Sequence, residues 1–183
     1  MTAFKTAFDK TMQREGHYSN DPVDPGGETY MGISRVFWPN WPGWDAVNSG
    51  IDPQINSVEF FYRENFWNRF QGEAVAAYSP VVAARLFDVA VNLGVHRAGK
   101  YLQTALNLLN NNRGAYPDLL VDGVVGKITI GYLALFFQRK PPEDAKKEKM
   151  LLNVIRTLQG QHYVDQMTKY PERERFRGWF LRL

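Results

Sequence analysis

The chain has 183 residues and is 44% hydrophobic, enough to bury a real core in one domain, or in one domain with a small appendage. It has no cysteine, which excludes disulfides, thiolate metal sites and thiol nucleophiles. Its three histidines, His17, His96 and His162, are spaced too widely for a histidine metal site, so no cofactor is expected. A net charge of +3 and a pI near 9.1 suit an anionic polymer or surface such as a cell wall but are too weak to indicate nucleic acid, and no apolar run is long enough to cross a membrane.

At the N-terminus Ala3, Phe4, Ala7, Phe8, Thr11 and Met12 recur at three- and four-residue steps, which predicts a helix capped by Thr2. Lys5, Asp9, Lys10 and Arg14 make it amphipathic, unlike a secretory signal peptide. Glu15 falls on the apolar face and Gly16 offers a stop. A carboxylate there meets apolar side chains and the negative end of the helix dipole, both of which disfavour its ionised form. Its pKa is expected to rise, as a general acid working near neutral pH requires.

Two turn-forming clusters follow, Ser19-Asn20-Asp21-Pro22 and Asp24-Pro25-Gly26-Gly27, so the chain must double back. That brings Asp21, Asp24, Glu28, Thr29 and Tyr30 into reach of Glu15, with room for one short β-hairpin. Two carboxyl groups facing each other across a cleft are what glycoside hydrolysis needs. Asp21 is more simply a turn cap.

Residues 36–45 carry three tryptophans, a phenylalanine and two prolines, which predicts an ordered aromatic loop. Trp38, Trp41 or Trp44 can stack on sugar rings, or can simply pack the loop onto the core. Residues 57–70 return to helical spacing, with Glu59, Arg63 and Glu64 read as a solvated face.

Ser79-Pro80 then opens a helix over 80–94 that is apolar nearly all round, the expected buried centre of an α domain. Its polar exceptions Arg85, Asp88 and Asn92 share one face, expected to tie the core to a loop such as the active-site turn, with substrate contact by Asn92 as the sharper reading.

Further helices are predicted over 96–110, from about 127 through Phe137, and over 144–169, where Lys146, Lys147 and Lys149 read as solvated or facing a wall polymer. Pro171 breaks the last of these, and 172–183 returns to helical spacing with its apolar side docked on the domain.

The string E-G-x-Y-S-N-D-P-x-D-P-G-G-x-T-x-x-G-I-S over 15–34 resembles that of the glycoside hydrolase 108 family of N-acetylmuramidases, phage endolysins and related bacterial lysozyme-like enzymes. D-G-x-x-G-x-x-T over 122–129, after Leu102-Gln103 and Leu106-Asn107, resembles a motif of small peptidoglycan-binding domains, and the ending G-W-x-x-R over 178–182 resembles that family's C-terminus.

The resemblance implies a mainly α, lysozyme-like fold with a catalytic portion over 1–93 and a peptidoglycan-binding helical portion over 94–183, packed as one compact unit. It also implies hydrolysis of the β-1,4 bond between N-acetylmuramic acid and N-acetylglucosamine, with Glu15 as general acid. In more distant phage-type lysozymes the site reads Glu, eight residues, Asp, five residues, Thr. Here that spacing leads from Glu15 to Asp24 and then to Tyr30 rather than Thr29.

The expected site is therefore Glu15, Asp24 and Thr29, with Tyr30, Asn92 and Trp38 on the substrate. The partner is peptidoglycan, met by a monomer made in a host cytoplasm and acting on the wall or periplasm after release. A lytic transglycosylase, a chitin-type hydrolase and a noncatalytic wall-binding or virion component are the alternatives.

Overall fold

The computed structural model describes residues 1–13, 17–20, 27–114, 116–138 and 143–183, with the backbone alone at 143 and 144. The helix on which the others pack is α5, Pro80–Leu93. Ser79 caps it, accepting the Val82 N–H at 3.0 Å, and donates its hydroxyl proton to Glu148 at 2.5 Å. Val82, Leu86, Phe87, Val89 and Ala90 are fully buried against α1 (Ala3–Met12), α4 (Gly72–Ala76), α6 (Val95–Leu108) and α8 (Glu143–Lys169). Side chains such as Leu86 and Phe87 each contribute about 1.5–3 kcal/mol by leaving water. Val81 remains exposed, so the helix has one wet edge.

Helix α1 begins as predicted, with Thr2 accepting the Lys5 N–H, and runs Ala3–Met12 with Gln13 as its cap; Glu15 and Gly16, expected at its end, lie outside the described residues. Beyond them the His17 carbonyl accepts the Met31 N–H at 2.7 Å, and Tyr18–Ser19 is a strand.

Helix α2, Gly43–Asn48, cuts short the aromatic loop expected over 36–45, because once Pro42 is passed no proline blocks the turn. Helix α3, Ile55–Tyr62, continues through a π turn, Arg63–Trp67, and a 3-10 turn, Asn68–Phe70. Its charges are not simply solvated. Glu59 pairs with Lys5 at 2.8 Å and the Arg63 guanidinium lies 4.5 Å over the Phe4 ring, pinning α1 to α3. Phe4, Trp67 and Phe87 meet edge to face with centroids 5.6–5.9 Å apart, a favoured aromatic geometry.

In the second half, α6 holds the loop that leads to α7, Lys127–Phe136. Gln103, buried on α6, donates to Asp122 Oδ1 at 2.7 Å and to the Val124 carbonyl at 3.1 Å, and accepts the Gly123 N–H at 2.7 Å. That amide, followed by the Val124 N–H, holds the Asp122 carboxyl below its usual range. One turn on, Asn107 donates to and accepts from the Leu119 backbone.

Gly123 has φ +79°, and a Cβ on Gly99 would stand 2.1 Å from the Gly123 carbonyl oxygen. The D-G-x-x-G-x-x-T string is therefore the closure between α6 and its loop. Lys147, expected in solvent, donates to the Phe136 carbonyl and so joins α8 to α7.

The Arg85 and Asp88 face of α5 is knotted to α8 and to the C-terminal 3-10 segment, Pro171–Arg182, which kinks at Phe176. Arg85 donates to Gln159 and to the Arg182 and Leu183 carbonyls. Asp88 accepts from Gln159 at 3.4 Å and lies 4.0 Å from the Arg182 guanidinium. The architecture is mainly α, the lysozyme-like helical fold expected, and among the described residues no helix is long and apolar enough to cross a membrane.

Candidate active site

Strands β1 (Tyr18–Ser19), β2 (Thr29–Tyr30) and β3 (Ile33–Ser34) form an antiparallel sheet in that order, one strand more than the predicted hairpin. Tyr18 faces Tyr30 and Ser19 faces Thr29; Thr29 in turn faces Ser34. The turn between β2 and β3 is Met31-Gly32, both at positive φ, as a two-residue hairpin of this twist requires. Met31 bears that conformation with its carbonyl fixed by the Tyr62 hydroxyl at 2.7 Å.

Because side chains alternate along a strand, Thr29 and Tyr30 point to opposite faces. Tyr30 is buried, stacked on Trp41 at 5.9 Å, and its hydroxyl donates to Asp52 Oδ1 at 3.4 Å. Burial, then the Asp52 charge, pushes the Tyr30 phenol up, so it stays a proton donor at neutral pH. Thr29 is half-buried and donates to the Gly27 carbonyl at 3.1 Å, which leaves its oxygen lone pairs to accept.

Asp52 is the residue that sequence reasoning missed. Its side chain is 75% exposed, yet it gathers His17 Nε2 at 3.2 Å as well as the Tyr30 hydroxyl. Asp52-Pro53 reads locally as a turn, and nothing in the sequence signals the thirty-five-residue return to His17. Glu28 is anchored, accepting from the Tyr18 hydroxyl at 3.2 Å and pairing with Arg35 at 3.0 Å. Arg35 carries the link onward to Asn48 and over the Trp44 ring.

Of the three tryptophans, Trp41 and Trp44 pack the loop onto the core and Trp38 lines a surface recess. This recess, about 430 Å³, is walled by Phe37, Trp38, Trp41, Phe60 and Phe61 with Asn40 and Asn65 at its polar edge. Phe37 is 71% exposed, Phe60 67% and Trp38 37%. The Trp38 ring is held edge-on by Phe61 at 4.9 Å. Trp41 joins recess to sheet, since its ring lines the one and stacks on Tyr30 of the other.

Asn92 is elsewhere. Its amide donates to the Asp88 carbonyl at 2.7 Å, and it lines a second recess with residues of α6, α8 and the C-terminal segment. Glu15 and Asp24 lie outside the described residues. Among the described residues no group of three acidic or histidine side chains is placed to hold a metal.

A mainly helical fold with a small sheet that presents hydroxyls and carboxylates beside an aromatic recess is of the lysozyme-like class. Comparison with known families specifies it. Residues 8–94 match the family described as Glycosyl hydrolase 108, and residues 97–183 match the family described as Predicted Peptidoglycan domain.

Among solved structures the chain is similar to that of SagA from Brucella abortus, with 21% identity and a TM-score of 0.56 over 98% of this chain and 91% of that one. The likeness is one of fold. No match was found among curated proteins. The chain is thus a glycoside hydrolase with peptidoglycan as its partner.

Proposed function

We propose that the chain is an endolysin-type N-acetylmuramidase, cleaving the β-1,4 bond between N-acetylmuramic acid and N-acetylglucosamine with Glu15 as general acid. The observation that carries this reading is the pairing of His17 through Ser19 with Thr29 through Met31. Glu15 stands two residues before the first of these stretches and Asp24 five before the second, so one sheet gathers both flanks of the 15–34 string. The string itself falls inside the Glycosyl hydrolase 108 match.

In this mechanism Glu15 protonates the glycosidic oxygen as the bond breaks, and Asp24 orients the attacking water and draws its proton. Thr29 assists by accepting a hydrogen bond from that water, its own hydroxyl proton going to the Gly27 carbonyl. Trp38 and Phe60 offer ring faces to the sugars in the adjoining recess. A separation of roughly 6.5–9.5 Å between the two carboxyl groups gives inversion at the anomeric carbon, and roughly 5–5.5 Å gives retention. The enzyme reaches the wall after release from a host cytoplasm.

The test is mass spectrometry of fragments that the protein releases from purified peptidoglycan. Reducing N-acetylmuramic acid ends are expected. Reducing N-acetylglucosamine ends would place the cut at the other bond, anhydro ends would make the chain a lytic transglycosylase, and no release by folded protein would leave it a wall-binding component.

A further inference from the structure

We propose that the recess between α6, α8 and the C-terminal segment is a second site, which takes the carboxylates of the peptidoglycan stem peptide. It rests on peptidoglycan being the partner but not on the chain cutting it. The recess has a volume of about 300 Å³, the size of an amino-acid group or two. Asn92, Arg97, His162, Tyr163, Arg173 and Trp179 line it.

Its chemistry is cationic. Arg97 is positioned by the neutral Leu93 carbonyl at 3.4 Å, and Arg173 by the Gln166 amide oxygen and by the Tyr170 ring 4.6 Å beneath its guanidinium. Among the described residues neither guanidinium has a carboxylate partner. Two half-buried arginines that line one open recess with no carboxylate on either guanidinium make it attractive to an anion. A carboxylate matches the guanidinium fork in two parallel hydrogen bonds.

The remaining walls fit a peptide rather than a bare ion. Trp179 lies parallel to Phe176 at 5.0 Å and against Tyr163 at 5.3 Å, giving a rigid apolar face for an aliphatic side chain. His162 is driven down by burial and then by Arg97, with Asp165 opposing and Arg173 adding to the shift, so at neutral pH it offers one N–H rather than a third charge. Asp165, the acid facing it, is engaged by Gln161 at 2.7 Å.

The closing Gly178-Trp179-Phe180-Leu181-Arg182 thus divides its work. Arg182 lies 4.0 Å from Asp88, and Trp179 is left to the recess.

The experiment measures binding by the full chain carrying Glu15→Gln, which removes turnover as a variable. A disaccharide–tetrapeptide from peptidoglycan is compared with the same disaccharide stripped of its peptide. At least tenfold tighter binding of the peptide-bearing form is expected, and Arg97→Gln with Arg173→Gln is expected to abolish that difference. Trp38→Ala should weaken both ligands and leave the difference intact, so a failure of the glycan recess is told apart from a failure here.

A second measurement needs no change in the recess: the His162 ring resonances should shift with the peptide-bearing ligand and stay put with the stripped one. Equal affinity for the two ligands, or a difference that survives the double substitution, overturns the proposal. So does arginine-dependent binding of inorganic phosphate or phosphatidylglycerol vesicles in place of the peptide.

Discussion

The two halves of this chain use polar side chains in opposite ways. Around the sheet, Thr29 keeps acceptor capacity and Asp52 is largely exposed, while the neighbouring aromatic recess opens to solvent. Around α6, the polar residues of an equally recognisable motif are consumed by backbone: Gln103 closes on Gly123 and Val124, and Asn107 on Leu119. A motif associated with wall binding is here a structural staple, so contact with the wall in this half must come from other residues. At Thr29 in the first half's string the backbone takes only the hydroxyl proton, at the Gly27 carbonyl, and the oxygen can still accept.

The contrast breaks most visibly at the staple. Gly99→Ala forces a methyl group into the Gly123 carbonyl and should cost about 2–3 kcal/mol by urea denaturation, with activity per folded molecule kept. Gln103→Ala strands the Gly123 N–H and should cost about 2 kcal/mol on the same assay. If either variant stayed fully stable yet lost wall binding, the motif would be a ligand site after all.

On the other side, Thr29→Val should lower turnover about tenfold, one well-placed hydrogen bond's worth, while Tyr30→Phe stays within about twofold. The reverse order would give the hydroxyl role to Tyr30, as the spacing from Asp24 suggests. A smaller loss than that of Thr29→Val is expected from Trp38→Ala, a rise of about fivefold in KM for glycan with kcat little changed. A loss confined to kcat would place Trp38 at the reacting centre instead.

Helices could be read in the sequence wherever periodicity and caps agreed, as at Thr2 and at Ser79-Pro80, because both signals are local. The pairing of His17 with Met31 could not, since it is a contact across fourteen positions. Asp52 was invisible for the same reason, its meaning coming from His17 and Tyr30. Asn92 stands out in the sequence as a polar residue on an apolar helix. Sequence gave no hint that its neighbours would be Arg97, His162 and Arg173. Trp38 could not be separated from Trp41 and Trp44, because exposure depends on which ring the loop turns outward.

The central claim is that the first half cuts with Glu15. It is tested by giving purified sacculi to the wild type and to Glu15→Gln, and measuring both fragment release and the fraction of protein that pellets with the wall. Release is expected to fall by at least about a hundredfold, the usual share of a general acid, while pelleting is unchanged. A Glu15→Gln protein that pellets normally and still releases fragments at near the wild-type rate would contradict the account.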